Sequence, residues 1–236
     1  TISDIVPLTD ENRVIVKLGL KLVQQTKNLG LRSILQATGY NKIDSIAISF
    51  GVAPRINACG RMGHQEEALN LFLSKNINEV NELTQKLNAY NKERQEIEKN
   101  IFTDAVEQIK ANNLQEKNTI VLMGKNWHHG VIGIVSSKIT EMYFKPSILL
   151  CEEGDIGKGS GRSIPGFDLY EALTKCKKSV DRFGGHAMAI GITIKKDKFE
   201  ELKNEFEEIA QENHIEEIVP ILKIDSQINL DEINKE

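Results

Sequence analysis

The chain has 236 residues, with 30 Lys and Arg against 34 Asp and Glu, a formal net charge of −4. Charged residues make up 27% and hydrophobic ones 40%, the balance of a globular protein of one or two domains with a sizeable core. These values argue against a protein that coats nucleic acid through global charge while leaving room for a local basic site, and no apolar run nears the roughly 20 residues of a membrane helix.

The cysteines Cys59, Cys151 and Cys176 form no CxxC pair, which argues against a zinc ribbon or disulfide scaffold. A reduced, cytoplasmic, soluble protein is expected. The chain opens at Thr1 with no signal-like segment, and a piece of a longer protein, cut at both ends, is the expectation.

In chain order, Asn12 to Gln25 reads as a helix with Val16, Leu20 and Val23 on one face, and Leu31 to Ala37 as a second, ended by Thr38-Gly39. Ile46 to Pro54 alternates and then breaks at Gly51 and Pro54, which predicts a strand or extended run feeding a loop. A short helix follows at Gln65 to Leu73. The longest regular element runs from about Asn78 to Ala111, roughly 50 Å at 1.5 Å per residue. Its seam is Val80, Leu83, Leu87, Tyr90, Arg94, Ile97 and Ile101, spaced 3-4-3-4-3-4. An intramolecular strut and a dimeric coiled coil both fit that stripe, and its length favours the strut. Arg94 is the odd member, since a guanidinium there wants a carboxylate partner or must snorkel.

Beyond Asn113 strands and helices alternate, the pattern of an α/β domain. Thr119 to Gly124, Pro146 to Cys151 and Ala187 to Ile194 read as strands. Val131 to Tyr143, Asp168 to Lys177 (with Asp168 as N-cap) and Phe199 to Gln211 read as helices. Lys158 to Ser163 reads as a Gly-rich turn or short strand, and Leu222 to Ile228 as a further strand.

Four strings carry chemistry. In Pro54-Arg55-Ile56-Asn57-Ala58-Cys59-Gly60-Arg61-Met62-Gly63, two arginines and an amide sit among glycines. The planar guanidinium fork suits phosphate oxygens, or equally a set of ion pairs with surface carboxylates. Trp127-His128-His129-Gly130 lies between a strand and a helix start, where backbone N–H groups favour anions. The His doublet suits hydrogen bonding or packing better than metal ligation. Gly157-Lys158-Gly159-Ser160-Gly161-Arg162-Ser163 is not a P-loop, because Glu152 stands where the first glycine belongs and Gly159 follows the lysine. An anion nest and a Gly-rich hairpin both remain open for it. Phe183-Gly184-Gly185-His186 presents a histidine after a glycine pair, for a phosphate or simply in a tight turn.

Taken together and in this order, these strings resemble the RecJ single-strand exonucleases of the DHH phosphoesterase superfamily. The matching stretches are Thr1–Leu8 with Glu11-Asn12-Arg13, Pro54–Met62, Asn91–Glu98, Trp127–Ser137, Lys158–Ser163 with Gly166-Phe167, and Phe183–Gly191. The resemblance implies an α/β fold of two lobes joined by a long helix, the C-terminal lobe a mixed-sheet DHH-associated domain, with nucleic acid between the lobes. On that basis residues 1–75 would be the end of the DHH domain, 76–113 the connecting helix, 114–215 the DHH-associated domain and 216–236 the start of an oligonucleotide-binding barrel.

It further implies a metal-dependent 5′→3′ exonuclease on single-stranded DNA in repair and recombination, using Mn²⁺ or Mg²⁺. Asp4 would be the last metal-binding aspartate, the others lying upstream, so that this stretch alone would be inactive. Ser160 and Arg162 would grip a 5′ phosphate, with Gly184 and Gly185 allowing close approach and Asn57 and His128 as further nucleic-acid contacts. Arg55 or Arg61, with His186, would neutralise charge on the scissile phosphate. Cys59 and Ile190 stand where the family commonly has alanine. Expected partners are single-stranded DNA with a 5′ end, a helicase and a single-strand-binding protein, with no membrane and a monomeric state. The alternatives are a DHH phosphoesterase on short oligonucleotides or cyclic dinucleotides, a catalytically silent nucleic-acid-binding relative, and the RNA-binding module of alanyl-tRNA synthetases. The Pro54–Arg61 string argues against the last.

Overall fold

The seam beginning at Val80 organises the first part of the molecule. A computed structural model describes residues 1–176, 178–229 and 233. The chain divides into two compact units, the first holding residues 1–107 with 124–135, the second 108–123 with 136–236.

In the first unit, helices α1 (Asp10–Val23), α2 (Leu29–Ala37), α3 (Ala53–Arg61) and α4 (Gln65–Leu73) precede the 35-residue α5 (Ile77–Ala111), about 52 Å long. Val80, Leu83 and Leu87 of α5 join Ile34, Leu35, Cys59 and Leu71 in one core. Burying side chains such as Leu71 and Leu87 completely stabilises by about 1.5–3 kcal/mol each. The first half of the stripe, Val80 to Leu87, is therefore filled from within the chain. Asn28 caps α2, accepting from Leu31 N at 2.8 Å. Helices α2 and α4 touch backbone to backbone, since a Cβ on Gly30 would lie 1.9 Å from the Leu71 carbonyl oxygen. Helix α1 buries no residue completely.

The strand expected at Ile46–Pro54 is instead a π-helical segment, Ala47–Val52, running directly into α3. The arginine string from Pro54 is thus helical, not a loop. Asp44 starts the segment, its carboxylate accepting from the Ile46 and Ala47 N–H groups at 3.0 and 3.1 Å. Pro54 stands in the first turn of α3, where it has no N–H to donate back into the π-helical segment. Gly51 is a packing residue, because a Cβ there would meet Thr38 Cγ2 at 2.8 Å.

The second unit is built on a five-stranded mixed sheet of order β1-β2-β3-β5-β4. Its strands are β1 (Ile120–Gly124), β2 (Ser147–Glu153), β3 (Ile156–Arg162), β4 (Arg182–His186) and β5 (Ala189–Lys195). Helix α6 (His129–Tyr143) connects β1 to its neighbour β2, a crossover of the kind parallel neighbours need, and the other three pairings are antiparallel. Helices α7 (Leu169–Lys175) and α8 (Phe199–Glu212) supply Leu169, Leu173, Leu202 and Phe206 to a core with Ile190, Ile192 and Ile194 of β5. Asp168 caps α7 through Glu171 N at 2.9 Å. The expected end of that helix, Lys177, lies outside the described residues.

Of the two readings open for Lys158–Ser163, the strand holds: Lys158–Arg162 belongs to the seven-residue β3. Two further expectations are corrected. Gly184-Gly185 is not a turn; it lies within β4, and the hairpin reverses at Ala187-Met188. Leu222–Ile228 forms no strand: residues 218–229 have no regular structure, and a strand gains its hydrogen bonds only from a neighbour. The three thiols are buried and unpaired. Burial pushes Cys59 up to about 11, and Cys151 and Cys176 up to about 12, which leaves them inert as nucleophiles. Among the described residues no helix is long and apolar enough to cross a membrane.

Candidate functional site

Strand β3 alternates glycine with polar residues, and the two sets have separate duties. Successive strand residues face opposite sides of a sheet. Gly157, Gly159 and Gly161 face the core, where added Cβ atoms would come within 2.9 Å of Met123 Cε, 2.6 Å of Leu150 Cδ2 and 2.9 Å of Ile190 Cδ1. Lys158, Ser160 and Arg162 occupy the other face. The glycines of this string therefore admit bulky isoleucines from β5; they do not cradle an anion.

The antiparallel register extends that polar face across three strands. Arg162 is paired with Ala189, and Ala189 with His186; Ser160 is paired with Gly191, and Gly191 with Gly184. Cross-strand partners share a face, so Ser160, Arg162 and His186 lie on one surface whose floor is Ala189, Gly191 and Gly184. Cβ atoms added at Gly184 or Gly191 would meet nothing within 4 Å, so the floor is open. Arg162 Nη1 donates to Ser160 Oγ at 2.7 Å and to the Gly161 carbonyl at 2.8 Å. At about 4.8 Å per strand, Arg162 and His186 stand about 10 Å apart at their Cα atoms, room for one tetrahedral anion between their side chains. His186 Nδ1 accepts from Met188 N at 3.3 Å, which leaves Nε2 as the nitrogen for an outside partner. Gly185, at φ +147° and with a Cβ that would strike the Ala189 carbonyl at 2.2 Å, is an obligate glycine of the hairpin.

In the first unit the arginines part company. Arg55 is a brace: Nε donates to Asn88 Oδ1 at 2.5 Å, Nη1 to the Gly51 carbonyl at 2.6 Å and Nη2 to the Ala37 carbonyl at 3.2 Å. Asn57 is exposed on α3. Arg61 ends α3 and donates from Nη1 to the Gly130 carbonyl at 3.0 Å. Gly130 is pressed against it, since a Cβ there would lie 2.2 Å from the Arg61 carbonyl oxygen. Desolvation and then the nearby Arg94 guanidinium lower the Arg61 pKa, with Glu98 opposing. Arg94 and Glu98 are themselves a buried ion pair on α5, and Arg94 also donates to Asn91 Oδ1 at 2.7 Å. The carboxylate that the sequence reading asks for beside Arg94 is Glu98, four residues on; the proximity of Arg94 to Arg61 has no signal in the sequence.

His128 precedes α6, its Nδ1 accepting from Gly130 N at 3.1 Å, its ring stacked on His129 with centroids 5.3 Å apart. The doublet is thus engaged in hydrogen bonding and stacking. Burial, then the neighbouring His129, lowers the His128 pKa below its ordinary 6.5, with Glu93 opposing. The neutral ring is the native form. Its contribution is therefore complete above pH 6.5 and is lost as pH falls through the depressed folded value, because the unfolded chain takes up the proton first. Urea unfolding of the protein and of His128→Gln should give a stability difference that is constant above that pH and shrinks below it. A difference that stays constant down to about pH 5 would show that no linked proton resides on His128.

Asp4 is exposed, its carboxylate 3.5 Å from the Thr1 amino group. Among the described residues no three His, Cys, Asp or Glu side chains gather as a metal site. Small divalent cations such as Mg²⁺ take about six oxygen ligands, and one solvated carboxylate does not fit that demand. The donors here do not by themselves hold the metal pair that the resemblance implies.

Residues 116–212, which span the whole sheet, match the DHHA1 domain. The single-stranded-DNA-specific exonuclease RecJ of Bacillus subtilis is 36% identical over 241 residues, covering 100% of this chain and 30% of its own length. RecJ of Thermus thermophilus is 34% identical over 210 residues, covering 89% of this chain and again 30% of its own. The chain thus spans about a third of the curated relatives it matches. Among solved structures, exonuclease RecJ bound to manganese superposes with a TM-score of 0.82 at 33% identity, over 92% of this chain and 55% of that one. RecJ from Thermus thermophilus in complex with Mg²⁺ gives 0.80 at 33%, over 90% and 33%.

Proposed function

We propose, on the premise that this chain belongs to the RecJ family, that the whole protein is a metal-dependent 5′→3′ exonuclease on single-stranded DNA, and that the DHHA1 sheet holds the 5′-terminal phosphate. The observation that carries the reading is the cross-strand row: Arg162, Ala189 and His186 in register, beside Ser160, Gly191 and Gly184. A dianionic phosphate is matched there by a permanently charged fork, a hydroxyl and a ring N–H over a floor without large side chains, and charge-assisted donors of this kind are the strong ones. That bare floor lets backbone and phosphate approach closely.

Of the metal set that the resemblance implies we assign Asp4 to this chain, and the work we assign to its other residues concerns the substrate. In the first unit Arg61 is our choice for neutralising charge on the scissile phosphate, since three of the N–H groups of Arg55 are already committed to α2, the π-helical segment and Asn88. In the second unit His186 donates from Nε2 to a phosphate oxygen. Nucleic acid would be gripped by local cations despite the net charge of −4, giving salt-sensitive binding.

The full-length protein, given Mn²⁺ or Mg²⁺ and strands labelled at one end or the other, should release 5′-terminal mononucleotides first and leave blunt duplex intact. Release from the 3′ end, or equal attack on duplex, would refute the assignment.

A further inference from the structure

The short link between β1 and α6 holds a buried tryptophan whose partners lie on other elements of the first unit. The indole of Trp127 is laid against the backbone of Gly124, where a Cβ would lie 2.0 Å from its Cε2. Asn126 takes a φ of +62°, a conformation that asparagine accepts more readily than most residues. Trp127 Nε1 donates to Asp104 Oδ2 at 2.7 Å, so the link is fastened to α5. The His128 carbonyl accepts from the Val131 and Ile132 N–H groups at 2.9 and 3.0 Å, which ties Trp127 to the first turn of α6. In that turn the Gly130 carbonyl accepts from Arg61 Nη1 at 3.0 Å. Arg61, Asp104, Trp127 and Gly130 all belong to the first unit. A buried indole N–H needs an acceptor, and a backbone carbonyl would meet that need. Here the acceptor is a carboxylate, and bonds to a charged acceptor are the stronger ones. The segment so held is the perch of a guanidinium.

We propose that Asp104 is a positioning residue: through Trp127 it holds the Gly130 carbonyl in place, and that carbonyl aims Arg61 at the scissile phosphate. The proposal rests on the reading of Arg61 as the arginine that neutralises charge there. Arg61 is tethered by one nitrogen, and because the guanidinium is planar and rigid the direction of its other N–H groups follows from that tether. Gly130 has no slack on the other side, since a Cβ there would lie 2.2 Å from the Arg61 carbonyl oxygen. A displacement of about 1 Å in a group that meets the transition state can slow a reaction on the order of a hundredfold. Asp104 itself touches no substrate in this account.

The test uses the full-length protein with Mn²⁺ and reads the first cleavage of a 5′-phosphorylated single strand under single-turnover conditions, with strand binding measured separately in EDTA. Asp104→Ala is expected to slow that cleavage about tenfold and to change binding by less than about twofold. Asp104→Asn, which keeps an acceptor for the indole, should recover most of the loss. Trp127→Phe keeps a ring on Gly124 and removes the donor, so it carries the test should Asp104→Ala fail to fold. It should repeat the Asp104→Ala result, and the two changes together should slow cleavage no more than either alone. In an Arg61→Ala background Asp104→Ala should slow cleavage by less than about twofold, since the group it places is gone. Losses from Arg61→Ala and Asp104→Ala that multiply in the double variant overturn the positioning role, and so does a rate unchanged in both Asp104→Ala and Trp127→Phe. Arg61→Ala alone tests the reading beneath. A rate unchanged by it removes Arg61 from the scissile phosphate, whereas a slow Arg61→Ala beside multiplying losses rejects the role of Asp104 alone.

Discussion

Arg162→Ala is expected to weaken binding of 5′-phosphorylated single strands by about 2 kcal/mol, roughly thirtyfold, and binding of 5′-hydroxyl strands hardly at all. Arg162 shares a face with His186 across Ala189, and its Nη1 already meets Ser160 Oγ at 2.7 Å. The two donors are therefore assembled before any ligand arrives, and little ordering cost is left to binding. Arg162→Lys should recover only part of the loss, because an ammonium supplies the charge without the planar fork. Competition binding with the two ends, at one stated salt concentration, is the measurement. An equal loss on both ends would remove Arg162 from the end site and leave it as a general cation.

Glu98→Ala should lower the unfolding free energy by about 3 kcal/mol or more. The side chains of Arg94 and Glu98 are 13% and 8% exposed, so removing the carboxylate leaves a guanidinium nearly out of water beside the neutral amide of Asn91. The pair itself need not be a source of stability, because two charges withdrawn from water lose hydration that their attraction repays only in part. The double variant Arg94→Met/Glu98→Leu is accordingly expected to lie much closer to the parent than either single change. Denaturant unfolding of the three variants decides the matter: a single-variant loss under about 1 kcal/mol would mean that the pair is solvated. Glu98 also offsets the effect of Arg94 on Arg61, so its removal should disturb the arginine assigned to the scissile phosphate as well.

How far these features could be read from the chain depended on whether their cause was local. The seam of α5 was legible because a spacing of three and four is intrinsic to a helix, and so was the need of Arg94 for a carboxylate. Asp168 as a cap was legible for the same reason. The segment Ala47–Val52 was misread because Gly51 and Pro54 look like breakers, whereas one packs against Thr38 and the other opens α3; Asp44 ahead of the apolar run was the overlooked start signal. Strand β4 had no propensity to announce it. Arg182-Phe-Gly-Gly-His186 contains no β-branched residue, and it is a strand because β5 supplies the ladder. Ser160 and Arg162 could be grouped by their spacing of two. Their alignment with His186 could not, because register is settled by partners distant in the chain.

The alternation along β3 has a consequence for how such a protein can change. Odd-numbered positions from Gly157 to Gly161 answer to the core side chains beneath, among them Met123, Leu150 and Ile190, and even-numbered ones from Lys158 to Arg162 to whatever lies above. Mutational drift, or deliberate redesign, can then exchange one ligand chemistry for another at three sites while the interior is inherited untouched. Specificity and foldability are uncoupled within a single seven-residue ribbon.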